Sequence, residues 1–261
     1  MFSIHRTGTN YLGSVLKQWP TVSAFGELFH PRGVFGVKPA YLRAVSKAAG
    51  ADFTDTMSPA FIDWARAHPL RLIEALGHVA QRQDRAALYF KVFLGQWTQP
   101  PEQVIAQFAR LPGFTPVILQ RRCVDVYVSF RKAEAAGKYK LVDTTAAPVE
   151  LDARWYAHWA DAARNWYRLV SGELSRAGTA PRFVTYERDI DMQASSLSAH
   201  WSRMLGIAAP PSIDPSLALA RQDRNERLED KIANHEPFLA ALEERGLRDE
   251  ALGYFVNPGQ P

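Results

Sequence analysis

Short apolar runs rich in β-branched and aromatic residues recur along this chain, each followed by a stretch of helical periodicity. That alternation limits the available folds more than any other feature. The runs are FSI (2–4), VSAF (22–25), ALYFKVFL (87–94), TPVILQ (115–120) and RFVTYE (182–187). Helical stretches read at 9–19, 58–67, 70–82, 101–110, 125–137, 151–178 and 195–205, with Ser58 and Pro59 opening one and Gly137 and Gly178 closing two others. Such a chain builds an α/β fold whose central, mostly parallel sheet is flanked by helices, and ligands then sit at the carboxyl ends of its strands. In the long stretch 151–178, Trp155, Trp159 and Trp166 with Tyr156 and Tyr167 recur at spacings of four and seven, which predicts a packed helical face.

Composition narrows the function. With 261 residues, 47% of them hydrophobic, and no Ser/Gly/Pro linker, one domain over 1–261 is expected. The single cysteine, Cys123, rules out an internal disulfide or a Cys-based zinc site, and reads as a structural thiol at a helix start. The first residues carry no signal-peptide pattern and no apolar run reaches membrane length, so a soluble cytoplasmic protein without a membrane span is expected. Net charge is +4, but 27 acidic residues are interspersed among 31 basic ones. A small anionic ligand suits that balance better than nucleic acid.

The first candidate strand ends in HRTGTNYL (5–12). Gly8 lets the backbone turn sharply and approach a ligand, Thr9 or Asn10 can cap the next helix, and Arg6 and Thr7 stand beside its free N–H groups. These residue types make a phosphate cradle, although an ordinary capped turn uses the same letters. An ATP-binding P-loop requires GxxxxGK[ST], whereas Ser3 lies five residues before Gly8 and Thr9 follows it. The run VILQ ends in Arg121 and Arg122 rather than the aspartate that helps hold magnesium. A nucleotide without triphosphate or metal fits better. At this second strand end, Ser129 lies eight residues after Arg121, where guanidinium and hydroxyl can converge on one phosphate.

The two motifs together resemble those of sulfotransferases that use 3′-phosphoadenosine 5′-phosphosulfate (PAPS). In that family a K/R-[ST]-G-[ST]-x-[WYL] loop binds the 5′-phosphosulfate, and an Arg followed eight residues later by Ser binds the 3′-phosphate. The matching residues are Arg6, Thr7, Gly8, Thr9, Asn10 and Tyr11 for the first, and Arg121 and Ser129 for the second. FGELFHP (25–31) is similar to the Gly-Glu pair of bacterial carbohydrate sulfotransferases of nodulation-factor and trehalose type. The resemblance implies a P-loop-NTPase-like sulfotransferase fold, PAPS as co-substrate and its desulfated product PAP (3′-phosphoadenosine 5′-phosphate), no metal, and a small-molecule or glycan acceptor.

It further implies that Glu27 is the catalytic base, that Arg6 and Lys91 stabilise the leaving phosphate, that Tyr186 lies near the adenine, and that Arg221 and Gln222 lie near the nucleotide. The Lys91-Val92-Phe93 stretch lacks the histidine that phenol and steroid sulfotransferases place two residues after a strand lysine. Family members carry more residues ahead of the loop, which predicts a short first strand or a start further upstream. Acceptor contacts are expected from 30–70 and 134–155. Taken residue by residue, Glu27 also reads as a solvated turn carboxylate, Lys91 as a snorkelling strand-edge side chain, His30 as a surface histidine, and the DKIAN segment (230–234) as a solvated loop or a nucleotide cover. Three activities stay open: a PAPS-dependent sulfotransferase, a kinase with a degenerate P-loop, and a non-catalytic PAP-binding module.

Overall fold

The computed structural model describes residues 1–139 and 142–256. Its elements are α1 (Thr9–Leu16), β1 (Val22–Glu27), α2 (Pro39–Ala49), α3 (Pro59–Ala67), α4 (Pro69–Arg82), β2 (Ala87–Lys91), α5 (Pro101–Ala109), β3 (Val117–Gln120), α6 (Cys123–Ala135), α7 (Ala153–Arg176), β4 (Arg182–Thr185), α8 (Tyr186–Asp189), α9 (Ala194–Leu205), α10 (His235–Glu243) and α11 (Arg248–Leu252). The fold is mixed α/β, with small parallel sheets: β1 pairs with β2 and β3 with β4, each in parallel. Phe2 joins the two pairs, bridging Val92 on one side and Ile118 on the other. Its N–H donates to Val117 O (2.8 Å) and its carbonyl accepts from Leu119 N (3.0 Å), while Ser3 N donates to Val92 O (3.1 Å). The start of the chain thus lies between β2 and β3.

Both faces of these strands are covered. Val117 and Leu119 pack with α1 and α9, whereas Ile118 packs with α2, α4, α5 and α7, so VILQ is apolar throughout because alternate side chains enter different clusters. A third cluster joins α6, the first half of α7, α10 and α11 through Tyr127, Tyr156, Phe238 and Leu242. Among the described residues, no helix is long and apolar enough to cross a membrane.

Several expected boundaries move. FSI contributes paired backbone only around Phe2, and ALYFKVFL stops as a strand at Lys91, because Phe93 N turns to Gln96 Oε1 (3.0 Å). RFVTYE is strand only to Thr185, whose N–H is captured by the Asp189 carboxylate (2.8 Å), and Tyr186 then opens a helical turn. Helices α2, α10 and α11 lie outside the stretches read as helical. The aromatic face of α7 is packed at Tyr156, Trp166 and Tyr167, but Trp155 is 67% exposed although Tyr156 beside it in the first turn is buried. DKIAN is not a solvated loop at its centre: Lys231 and Ile232 are buried.

Ion pairs against α6 hold that C-terminal segment. Lys231 Nζ donates to Asp125 (2.7 Å), Arg122 donates to the same carboxylate, and Lys132 pairs with Asp223 (2.7 Å) and donates to Thr144 O (3.0 Å). Burial by itself would raise the Asp125 carboxyl, but Arg121, Arg122 and Lys231 outweigh it and hold the group below the usual range. A depressed carboxylate stabilises the fold above its unfolded value near pH 4, and the contribution disappears as pH falls through the folded value. Asp125→Asn leaves Lys231 buried without a countercharge and should cost about 3 kcal/mol at pH 7. Urea titrations should show the gap from wild type closing below about pH 4; an equal gap at both pH values would contradict this ion pairing.

Candidate active site

The loop after Phe2 turns through two left-handed residues, Arg6 (φ 74°) and Gly8 (φ 89°), and runs directly into α1. Gly8 is the N-cap residue and no side chain caps the helix, so Thr9 is its first residue rather than its cap. The first intrahelical bond is Leu12 N to Gly8 O (3.2 Å), and the preceding first-turn N–H groups have no acceptor inside the helix. Thr7 is buried, its hydroxyl lies 2.6 Å from that of Ser3 and 2.9 Å from Ile4 O, and its side chain braces the loop from beneath.

This loop lines a cavity of ≈ 1180 Å³ at the carboxyl ends of the strands. Of the expected site residues, Arg6, Gly8, Thr9, Asn10, Tyr11, Glu27, Arg121, Ser129, Tyr186, Arg221 and Gln222 all line it, although they come from distant parts of the sequence. Lys91 stands directly behind them, donating to Asn10 Oδ1.

One end is cationic. Arg121 stands over the Tyr186 ring (4.3 Å to the centroid) and donates to Arg6 O (3.2 Å), while its buried Nε has no hydrogen-bond partner among the described residues. Arg6 reaches across the cavity, away from Glu27, donating from Nε to Ser129 Oγ (3.0 Å), from NH1 to Tyr139 O (2.8 Å) and from NH2 to Gln222 Oε1. Burial, and then the charge of Arg121, lower the Arg6 pKa, as expected for two guanidinium groups crowded together. A dianion placed between them would relieve that repulsion and give the orphaned N–H an acceptor. Arg221 sits further out, paired with Asp191 (3.4 Å).

The other end holds Glu27. Four residues of β1, Ala24 to Glu27, lie opposite three residues of β2, Tyr89 to Lys91, and this bulge sets Glu27 opposite Lys91. The carboxylate lies 3.9 Å from Lys91 Nζ and accepts from Gln96 Nε2 (3.3 Å). Neither bland reading describes this pair, because Lys91 is buried and Glu27 faces the cavity beside it. His5, His30, Phe35, Met57 and Phe93 complete this end. Among the described residues, no group of three or more His, Cys, Asp or Glu side chains is arranged to hold a metal ion. Cys123 is buried and inert, its thiol pushed up by burial.

Sequence reading missed His5 as a site residue, although it stands inside the quoted loop, and of the strap 213–222 it expected only Arg221 and Gln222. The strap is pinned to α1 by Leu219 N to Ser14 Oγ (3.0 Å), to the turn after it by reciprocal Gln18–Asp214 bonds (2.9 and 3.0 Å), and further along by Thr144 N to Gln222 O (2.7 Å). Ile213, Pro215 and Leu219 give it a cavity-facing apolar side.

A Cβ at Gly8 would stand 2.5 Å from the Tyr186 ring, besides being strained by the positive φ. Gly8→Ala should therefore destabilise by about 2–4 kcal/mol in denaturant titration, against about 1 kcal/mol for Gly137→Ala, because that position has the same handedness but open space. Equal losses would mean that the Tyr186 contact is not tight. No family model and no curated protein matches this chain.

Proposed function

We propose that this chain is a PAPS-dependent sulfotransferase that transfers the sulfuryl group to a hydroxyl of an acceptor, of carbohydrate or glycoconjugate type by the resemblance of its Gly26-Glu27 pair. One observation carries the reading. Arg121, whose buried Nε has no hydrogen-bond partner among the described residues, lines a cavity end shared with Ser129 and Arg6, while the N-terminus of α1 opens on the same cavity nearer Glu27. Two anion sites flanking an aromatic ring, Tyr186, suit a nucleoside bisphosphate. The parallel strands, with the chain start at their centre, are consistent with a P-loop-like sulfotransferase fold.

PAPS supplies the sulfuryl group; the chain's residues position it and handle protons and charge. Arg121, Ser129, Arg6 and Gln222 receive the 3′-phosphate, so Arg6 serves this end rather than the leaving group. The loop from Gly8 to Tyr11 receives the 5′-phosphate, and Lys91, bonded to Asn10 and 3.9 Å from Glu27, stands where charge builds on the leaving oxygen. Glu27 accepts the acceptor's proton as the oxygen attacks sulfur.

Thermal unfolding with PAP tests nucleotide recognition without needing an acceptor. Saturation at about 100 times Kd adds about 2.7 kcal/mol and should raise Tm by several degrees, whereas adenosine 5′-phosphate should do much less. Arg121→Ala should abolish most of the PAP shift. A shift with ATP and magnesium alone would replace this reading with a kinase, and a PAP shift without transfer to any acceptor would leave a binding module. Glu27→Gln should lower turnover by about 10²-fold, about 3 kcal/mol, and leave the PAP shift intact; near-normal turnover would remove Glu27 from the base role.

A further inference from the structure

The acceptor end of the cavity holds an imidazole that the reaction as described does not use. His5 opens its ring to the cavity in the residue before Arg6, with its centroid 4.5 Å from that of Phe93. Lys91 Nζ lies 5.8 Å from the same Phe93 ring and 3.9 Å from Glu27, so imidazole and ammonium flank one phenyl group and the carboxylate stands beside the ammonium on the same cavity. Among the described residues, neither ring nitrogen of His5 has a hydrogen-bond partner. His30 at the same end differs: its Nδ1 accepts from Arg32 N (3.1 Å), which in the neutral ring leaves Nε2 as a donor with no lone pair to offer.

We propose that His5 is the terminal proton acceptor of the reaction, taking from Glu27 the proton that the acceptor hydroxyl releases. The inference rests on the sulfotransferase reading. As the acceptor oxygen forms its bond to sulfur, the bond from sulfur to the 5′-phosphate oxygen breaks and its electron pair leaves with PAP. The hydroxyl proton passes to Glu27, then to His5, and the imidazolium returns it to solvent after product release. The carboxyl must lose its proton before the next turnover, and imidazole, the side chain that ionises nearest neutral pH, can take it while the acceptor fills the site.

The charges facing His5 fit an acceptor. Burial lowers its pKa most, Glu27 raises it, and His30, Lys91 and Arg6 lower it, with a net fall from the ordinary value. Burial thus favours the uncharged ring, and Glu27 is the group that opposes it.

Two measurements on the full chain test this. In proton NMR titrations, with the His5 signal identified by its loss in His5→Gln, the midpoint should lie below about 6.5 in the wild type and lower still in Glu27→Gln. An identical midpoint in both proteins would overturn the pairing. In the pH profile of PAPS turnover, His5→Gln should reduce the rate at least about tenfold and move the acid limb to lower pH, with PAP affinity unchanged. Turnover with the acid limb unmoved would end the relay alone. Absence of turnover at every pH, despite an intact PAP shift, would end the sulfotransferase reading and the relay with it.

Discussion

The two-sided pairing of Phe2 is the constraint on which the rest of this structure depends. Without it the strands form two separate parallel pairs; with it, the peptide that leads into the loop is fixed on both edges at the middle of the strand array. Trp166 and Tyr167 reinforce the arrangement from α7, donating to Ser3 O (2.9 Å) and Leu119 O (2.8 Å). Backbone hydrogen bonds and buried aromatic rings together leave the chain little freedom before residue 4. The sharp turn at Arg6 and Gly8 can then be held in left-handed conformations that cost energy by themselves.

From that anchor the cavity divides by charge. At one end two guanidinium groups crowd each other, with neutral oxygens from Ser129, Gln222 and Tyr139 as Arg6's partners. At the other end a single carboxylate is matched by a buried ammonium. Asp125 and Asp223 line the cationic end, each paired with a buried lysine, Lys231 and Lys132, while Asp125 also bonds Arg122 and feels the charge of Arg121.

Much of this was legible in the sequence where the signal is local. The spacing of Arg121 and Ser129 crosses one strand end and two helical turns, so it translates into proximity whatever the distant chain does. The same holds for Gly8 before α1, and for Gly137 and Gly178 after their helices. What depended on pairing between distant segments was not legible. The strand RFVTYE reads as six residues, yet Asp189 captures the Thr185 N–H and ends it early. Thr7 matches its motif by letter, but Ser3, four residues earlier, turns its hydroxyl inward. Lys231 lies in a charged stretch that looks solvated until its partner, Asp125, 106 residues away, is found. The strap 213–222 has weak periodicity, and only its bonds to α1 and Thr144 place it on the cavity.

The bulge in β1 has a consequence for how such a site can change. Glu27 meets Lys91 because β1 carries one residue more than β2 over the same interval, around Phe25 and Gly26. In an unbulged strand, adding or removing one residue would send the next side chain to the opposite face. The location of the carboxylate is thus stored in a count of residues rather than in any side chain. Point substitutions in β1 can tune packing and leave the carboxylate in place, whereas a single-codon insertion or deletion would carry Glu27 out of the cavity in one step.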